Sequence, residues 1–138
     1  MRVRSAAIVC ALLFALGASD ISVAATPDCR LRSGEKVVLY SSTSGDPSVL
    51  VWDSPVRLRA YNAATYDEAQ VMAARATLVA PGTRALVASC RPQFVQSPYS
   101  DTPDDAVGIT IITGPQRGHN FWVLGSDVSD VYHQTGNH

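Results

Sequence analysis

Lysine, glutamate, histidine and cysteine are all scarce in this chain of 138 residues. Lys36 is the single lysine, and the basic and acidic residues nearly cancel, for a formal charge of −1. No basic cluster or stripe is present, so nothing in the sequence draws a phosphate backbone from a distance, and nucleic acid is not an expected partner. The histidines are His119, His133 and His138. They form neither HxxxH nor HExxH spacing, so no resident metal is expected. Gly-x-Ser-x-Gly, the turn that presents a hydrolase serine, does not occur. Glu35 and Glu68 are the only glutamates, a thin supply for paired-carboxylate chemistry. No glycine-rich loop or redox CxxC motif points to a cofactor, and none is expected.

Long apolar runs are lacking too, with one exception at the start. Arg2 and Arg4 precede an uncharged apolar stretch from Ala6 to Gly17, and small residues follow at Ser22-Val23-Ala24-Ala25. Val23 and Ala25 fit the small-residue rule for leader cleavage, and Ser22 with Ala24 fits it one residue earlier. A membrane span needs about 20 apolar residues, and this run ends at Ser19 and Asp20. Residues 1–25 therefore read as a signal peptide, 26–130 as a single domain and 131–138 as a polar C-terminal tail. The expected compartment is the periplasm or the cell exterior, with no membrane span after cleavage.

Cys10 leaves with the leader. Cys29 and Cys90 remain, and an even pair in an oxidising compartment reads as one disulfide.

Lys36 to Ser42 is rich in strand formers, and 41–47 is a loop by composition. Val49-Leu50-Val51-Trp52 reads as a short apolar strand buried on both faces. Asp53-Ser54-Pro55 is a helix start, with Ser54 as cap and Pro55 in the first turn. Val56, Ala60 and Ala63 are expected to share one side of that helix. Thr65 and Glu68 make a capping box, after which Ala69, Met72, Ala73 and Ala76 recur at helical spacing. Residues 54–76 are thus expected to be helical, in one broken piece or two. Pro81-Gly82 suits the centre of a type II turn. Thr83 to Cys90 alternates as a strand, with Ala85 and Val87 opposite Leu86, Ala88 and Cys90. Residues 91–106, carrying Pro92, Pro98 and Pro103, read as a loop. Two further strands, 107–113 and 120–124, flank the glycine-bounded turn 114–118. In the second, Phe121 and Val123 oppose Trp122 and Leu124. Residues 125–128 form a closing turn.

Two of these segments resemble a known family. Gly82-Thr83-Arg84-Ala85-Leu86-Val87 is similar to the strand entry of bacterial SH3-like (SH3b-type) domains. Ile109 to Val128, ITIITGPQRGHNFWVLGSDV, resembles their closing hairpin and final turn, and Arg30-Leu31-Arg32-Ser33-Gly34 faintly resembles their opening segment. The resemblance spans roughly residues 81–128 and implies a small, strongly bent β-barrel. The expected fold is thus mainly β: an SH3-like barrel with one disulfide and a helical insertion at about 54–76. It also implies a non-catalytic binding module, which in exported proteins takes cell-wall peptides or protein partners.

Aromatic residues give such a module a recognition surface, since each offers a large contact area. Tyr99, in the proline-bearing segment, is the leading candidate, with Tyr61, Tyr66 and Trp122 beside it; Trp52 is expected in the core. The expected function is recognition of an envelope protein or cell-wall component. The alternative is a small secreted inhibitor or immunity-type protein projecting residues 91–106. A hydrolase built from His119 and Asp127 needs a serine in reach of the imidazole, and a calcium loop at Ser100–Asp105 lacks EF-hand spacing.

Overall fold

The structure is a computed structural model and describes residues 28–41 and 48–130. The signal-peptide and tail readings, and with them Cys10, His133 and His138, lie outside the described residues.

The chain is mainly β, with two helices. A five-stranded antiparallel sheet contains β1 (Lys36–Leu39), β4 (Arg84–Val95), β5 (Asp104–Ile111), β6 (Asn120–Leu124) and β7 (Val128–Asp130). Its spatial order is β6-β5-β4-β1-β7. A second sheet pairs β2 (Val49–Val51) with β3 (Thr77–Val79), and the helices α1 (Pro55–Ala63) and α2 (Tyr66–Ala73) connect those two strands.

The sheet is open, not the closed barrel expected from the sequence. Its outer strands, β6 and β7, are not paired with each other. The small sheet reaches β6 through one bridge, where Trp52 and Trp122 exchange backbone hydrogen bonds of 2.9 and 2.7 Å. That ladder stops because the helix begins immediately after Trp52. Ser54 accepts from the Arg57 amide at 3.2 Å, and Pro55 occupies the first turn, where its missing N–H costs nothing.

The main core lies between the two sheets. Val49, Val51 and Val79 from the small sheet pack with Val37, Leu39, Val87, Ile109 and Val123 from the large one. A second apolar cluster sits under α1, formed by Trp52, Leu58, Val95 and Ala106 with Phe94, Trp122 and Leu124 packed against it. Phe121 joins the first cluster and Trp122 the second, as the alternation in β6 predicts.

Several expectations need correction. Leu50 is half-buried rather than buried, because β2–β3 covers the core with one face. The inner face of α1 is Pro55 and Leu58; Val56 is 55 % exposed. Ala60 and Ala63 instead line a shallow groove facing Val71 and Met72 of α2. Residues 91–106 are largely not a loop. β4 runs to Val95 and β5 starts at Asp104, leaving 96–103 as the connection. A register shift between Val87 and Ser89 turns Cys90 onto the core side, away from Leu86.

Other features match. The helical stretch is two pieces, and the Ala69, Met72, Ala73 and Ala76 face is half-buried. Glu68 accepts hydrogen bonds from the Thr65 amide (3.1 Å) and hydroxyl (3.0 Å). Those bonds, the amide's foremost, hold the Glu68 carboxyl below its ordinary value. Gly82 takes φ +87° in the turn that Thr83 closes onto Ala80. Cys29 and Cys90 are joined, with Cα atoms 6.3 Å apart, inside the range of natural bridges. Among the described residues no helix is long and apolar enough to cross a membrane.

Candidate functional site

A polar cleft of about 650 Å³ opens beside the second apolar cluster. It is lined by Val95 and Leu124, by Asn62 of α1, and by Ser97, Ser100, Thr102 and Pro103 of the 96–103 connection with Asp104 and Asp105. Asp28 and Arg30 close one end.

The cleft is shaped by a defect in β4. Pro92 cannot donate to a ladder, so the pairing with β5 is broken between Arg91 and Val95. Within that gap Gln93 adopts φ +49°, the left-handed region that few side chains visit. Its amide turns out of the ladder and donates to Asp105 Oδ1 at 2.9 Å.

Two of the cleft's carboxylates, Asp104 and Asp105, are occupied as acceptors. Asp105 Oδ2 accepts from the Arg30 amide at 3.2 Å. Asp104 accepts from the amides of Asp105 (2.8 Å) and Ser126 (3.1 Å). The Arg30 guanidinium reaches across to the carbonyls of Gly125 (2.9 Å) and Val128 (3.3 Å). Charge-assisted bonds of this kind fix the wall in one geometry. Among the described residues, the potential metal ligands that meet are Cys29, Cys90 and Asp105, and there the two sulfurs are bonded to each other.

Next to the cleft lies an aromatic surface carrying two arginines. The Arg59 guanidinium carbon is 4.4 Å from the centroid of Phe94. That of Arg91 is 5.2 Å from Phe94 and 5.7 Å from Trp122. Beneath them Trp52 and Tyr61 meet with ring centroids 4.9 Å apart.

The four aromatic candidates divide. Tyr61 and Trp122 meet in the second cluster, both only half-buried. Tyr99 is 87 % exposed on the connection whose Ser97 and Ser100 line the cleft. Tyr66 is 73 % exposed in the first turn of α2. The structure brings Tyr61 and Trp122 together and leaves the other two on separate projections. Nothing in the sequence marks Arg59 or Gln93, and Phe94 stands out there only as one of the aromatic residues that could form a recognition surface. Arg91-x-x-Phe94 is visible as a spacing, but its meeting with Arg59 depends on α1 crossing β4.

The other candidate chemistry does not assemble. His119 precedes β6 and Asp127 follows it, so they lie at opposite ends of that strand. His119 is exposed and stacked on Phe121 at 6.2 Å. Glu68 is engaged at the α2 cap, while Glu35 lies in the turn before β1.

No protein-family model, curated protein or solved structure matches the chain.

Proposed function

We propose that this is an exported, non-catalytic binding module of the SH3-like kind, recognising an envelope protein or a cell-wall component in the periplasm or outside the cell. The observation that carries this reading is the cleft of about 650 Å³ joined to a half-buried aromatic surface. Asp104 and Asp105, which line it, are occupied by backbone amides rather than poised beside a reacting atom. Such a wall is rigid before a ligand arrives, which lowers the ordering cost of binding.

The SH3-like relationship is supported by the end of the chain. The meander β4-β5-β6 is followed by a 3-10 turn, Gly125–Asp127, and by β7, which returns to pair with β1. The leader-like N-terminus supports export, and the joined cysteines are compatible with a compartment outside the cytoplasm.

The test is retention of the purified, disulfide-bonded protein on isolated peptidoglycan and on immobilised envelope proteins, compared with Tyr99→Ala. Tyr99 is exposed enough for its loss to leave folding intact. Saturable retention, weakened several-fold by Tyr99→Ala, is expected. Failure to retain either material overturns the reading. A tight 1:1 complex with one enzyme, without affinity for wall polymer, selects the inhibitor alternative. Its projecting segment is then 96–103 and not the whole of 91–106.

A further inference from the structure

The arginines near the cleft are neutralised in different ways. Arg57 pairs with Asp53 at 2.7 Å, and Arg30 is occupied by two carbonyl oxygens. Among the described residues, Arg59 and Arg91 have neither kind of partner. Among the described residues they touch only rings, Phe94 for Arg59 and Phe94 with Trp122 for Arg91.

A guanidinium resting on an aromatic ring is oriented by the ring's negative face, yet keeps its N–H groups for another partner. Both cations are referred to the same Phe94 ring, at 4.4 and 5.2 Å, so their separation cannot exceed the sum of those distances. Two cations on one ring, at most about a Debye length apart, repel each other, and an oxyanion bound by either relieves the repulsion. The fork of donors on each matches a carboxylate or a phosphate.

The surroundings decide which anion. The patch and the cleft share the 91–95 segment of β4, and Asn62, which lines the cleft, lies one helical turn beyond Arg59. The cleft carries Asp28, Asp104 and Asp105. A chain bearing charge at every unit would run from the arginines straight into those carboxylates. A ligand with one localised negative group and a neutral, hydrogen-bonding remainder meets no such conflict. Backbone amides are such a remainder: the Gln93 side chain can donate to and accept from them, and Asn62, whose Nδ2 donates to the Leu58 carbonyl at 2.9 Å, keeps its second N–H and its Oδ1 for them.

We propose that Arg59 and Arg91, seated on Phe94 and Trp122, bind a carboxylate of a peptide whose backbone extends toward Asn62 and Gln93. The assignment rests on the binding-module reading and specifies its ligand chemistry.

The probe is acetyl-Ala-Glu-Ala-Ala-amide, whose only charge is the glutamate side chain, set against its glutamine counterpart, inorganic phosphate and polyphosphate. The readout is the NMR shift of the Arg59 and Arg91 Nε–H and Trp122 indole N–H signals. Saturable shifts with the acidic peptide are expected, with the glutamine peptide weaker by about tenfold or more. Arg59→Lys with Arg91→Lys keeps both charges but loses the forks, so it should weaken binding by about tenfold with an unchanged melting temperature. Equal binding of the two peptides overturns the carboxylate assignment and leaves the module reading standing. Full binding by the double Lys variant, or preference for polyphosphate, overturns it as well. No shift at millimolar acidic peptide also overturns it, while retention on peptidoglycan or envelope proteins then judges the module reading separately.

Discussion

Gly108 sits at the crowded point of β5. A Cβ built there would lie 2.5 Å from Ser89 Oγ and 3.3 Å from the six-membered ring of Trp122. The serine can rotate away, but the Trp122 ring is packed against the cluster of Trp52, Leu58, Val95 and Ala106 and has less room to move. Gly108→Ala is therefore expected to destabilise the fold by about 1–3 kcal/mol, an overpacking cost that outweighs the gain of replacing glycine in a strand. Urea unfolding measures it, and tryptophan fluorescence reports the displaced ring. Adding Ser89→Ala should recover part of the loss; strict additivity of the two changes would show that the serine is not the obstacle. The glycine was visible in the sequence, but the ring that requires it was not, since Trp122 lies on another strand. Gln93 was harder still. Glycine or asparagine would have signalled a left-handed residue. A glutamine does not, so the kink that opens the cleft had no local marker beyond Pro92.

At the scale of elements, local chemistry that is complete within a few residues was the legible part. Ser54-Pro55, Thr65 with Glu68, and Pro81-Gly82 each specify a boundary by satisfying or removing a backbone group, and each boundary occurs where expected. Which side of α1 turns inward was not legible: Val56, Ala60 and Ala63 share a side by spacing, but the side that is buried carries Leu58. In the structure Leu58 is 2 % exposed and Val56 55 %. Leu58→Ala is expected to cost about 2–5 kcal/mol through lost burial and the cavity left behind. Val56→Ala should change stability by less than about 0.5 kcal/mol, as surface substitutions do. Chemical denaturation of the two variants checks the assignment, and equal losses would contradict it. β3 and β7 escaped notice because neither carries an unbroken apolar run like the one that marks β2, which is equally short. Thr77 follows the α2 segment without a turn signal, and β7 is defined by pairing with β1 rather than by its own pattern. The extension of β4 through Pro92 was obscured by the rule that proline leaves strands, which a bulge permits.

Across the whole molecule, closure was the property least available from the sequence. Whether strands make a barrel depends on whether the outermost pair can meet. Here the chain enters α1 directly after Trp52, so the small sheet is tied to β6 by a single bridge. The disulfide is the opposite case, since counting cysteines predicted it and geometry agrees. It anchors the lead-in, residues 28–34, to β4 across a sequence separation of 61. That segment is also held without it. Leu31 is 5 % exposed in the main core, Ser33 donates to the Ala88 carbonyl at 3.1 Å, and Arg30 reaches Gly125 and Val128. Because these contacts survive removal of the sulfurs, the loss falls on the unfolded chain, which gains the freedom of an open loop. Cys29→Ser with Cys90→Ser should reduce stability by about 4 kcal/mol in the chain-entropy account, a large part of the 5–15 kcal/mol typical of a domain. The urea m-value should rise, since an unlinked chain exposes more surface on unfolding. A loss under about 1 kcal/mol with an unchanged m-value would mean that the unlinked unfolded chain is already as compact as the linked one, and that the non-covalent contacts of the lead-in hold it alone. Since Asp28 and Arg30 form one end of the cleft, ligand binding by the folded serine variant tells whether the bond also positions that wall or only stabilises the chain behind it.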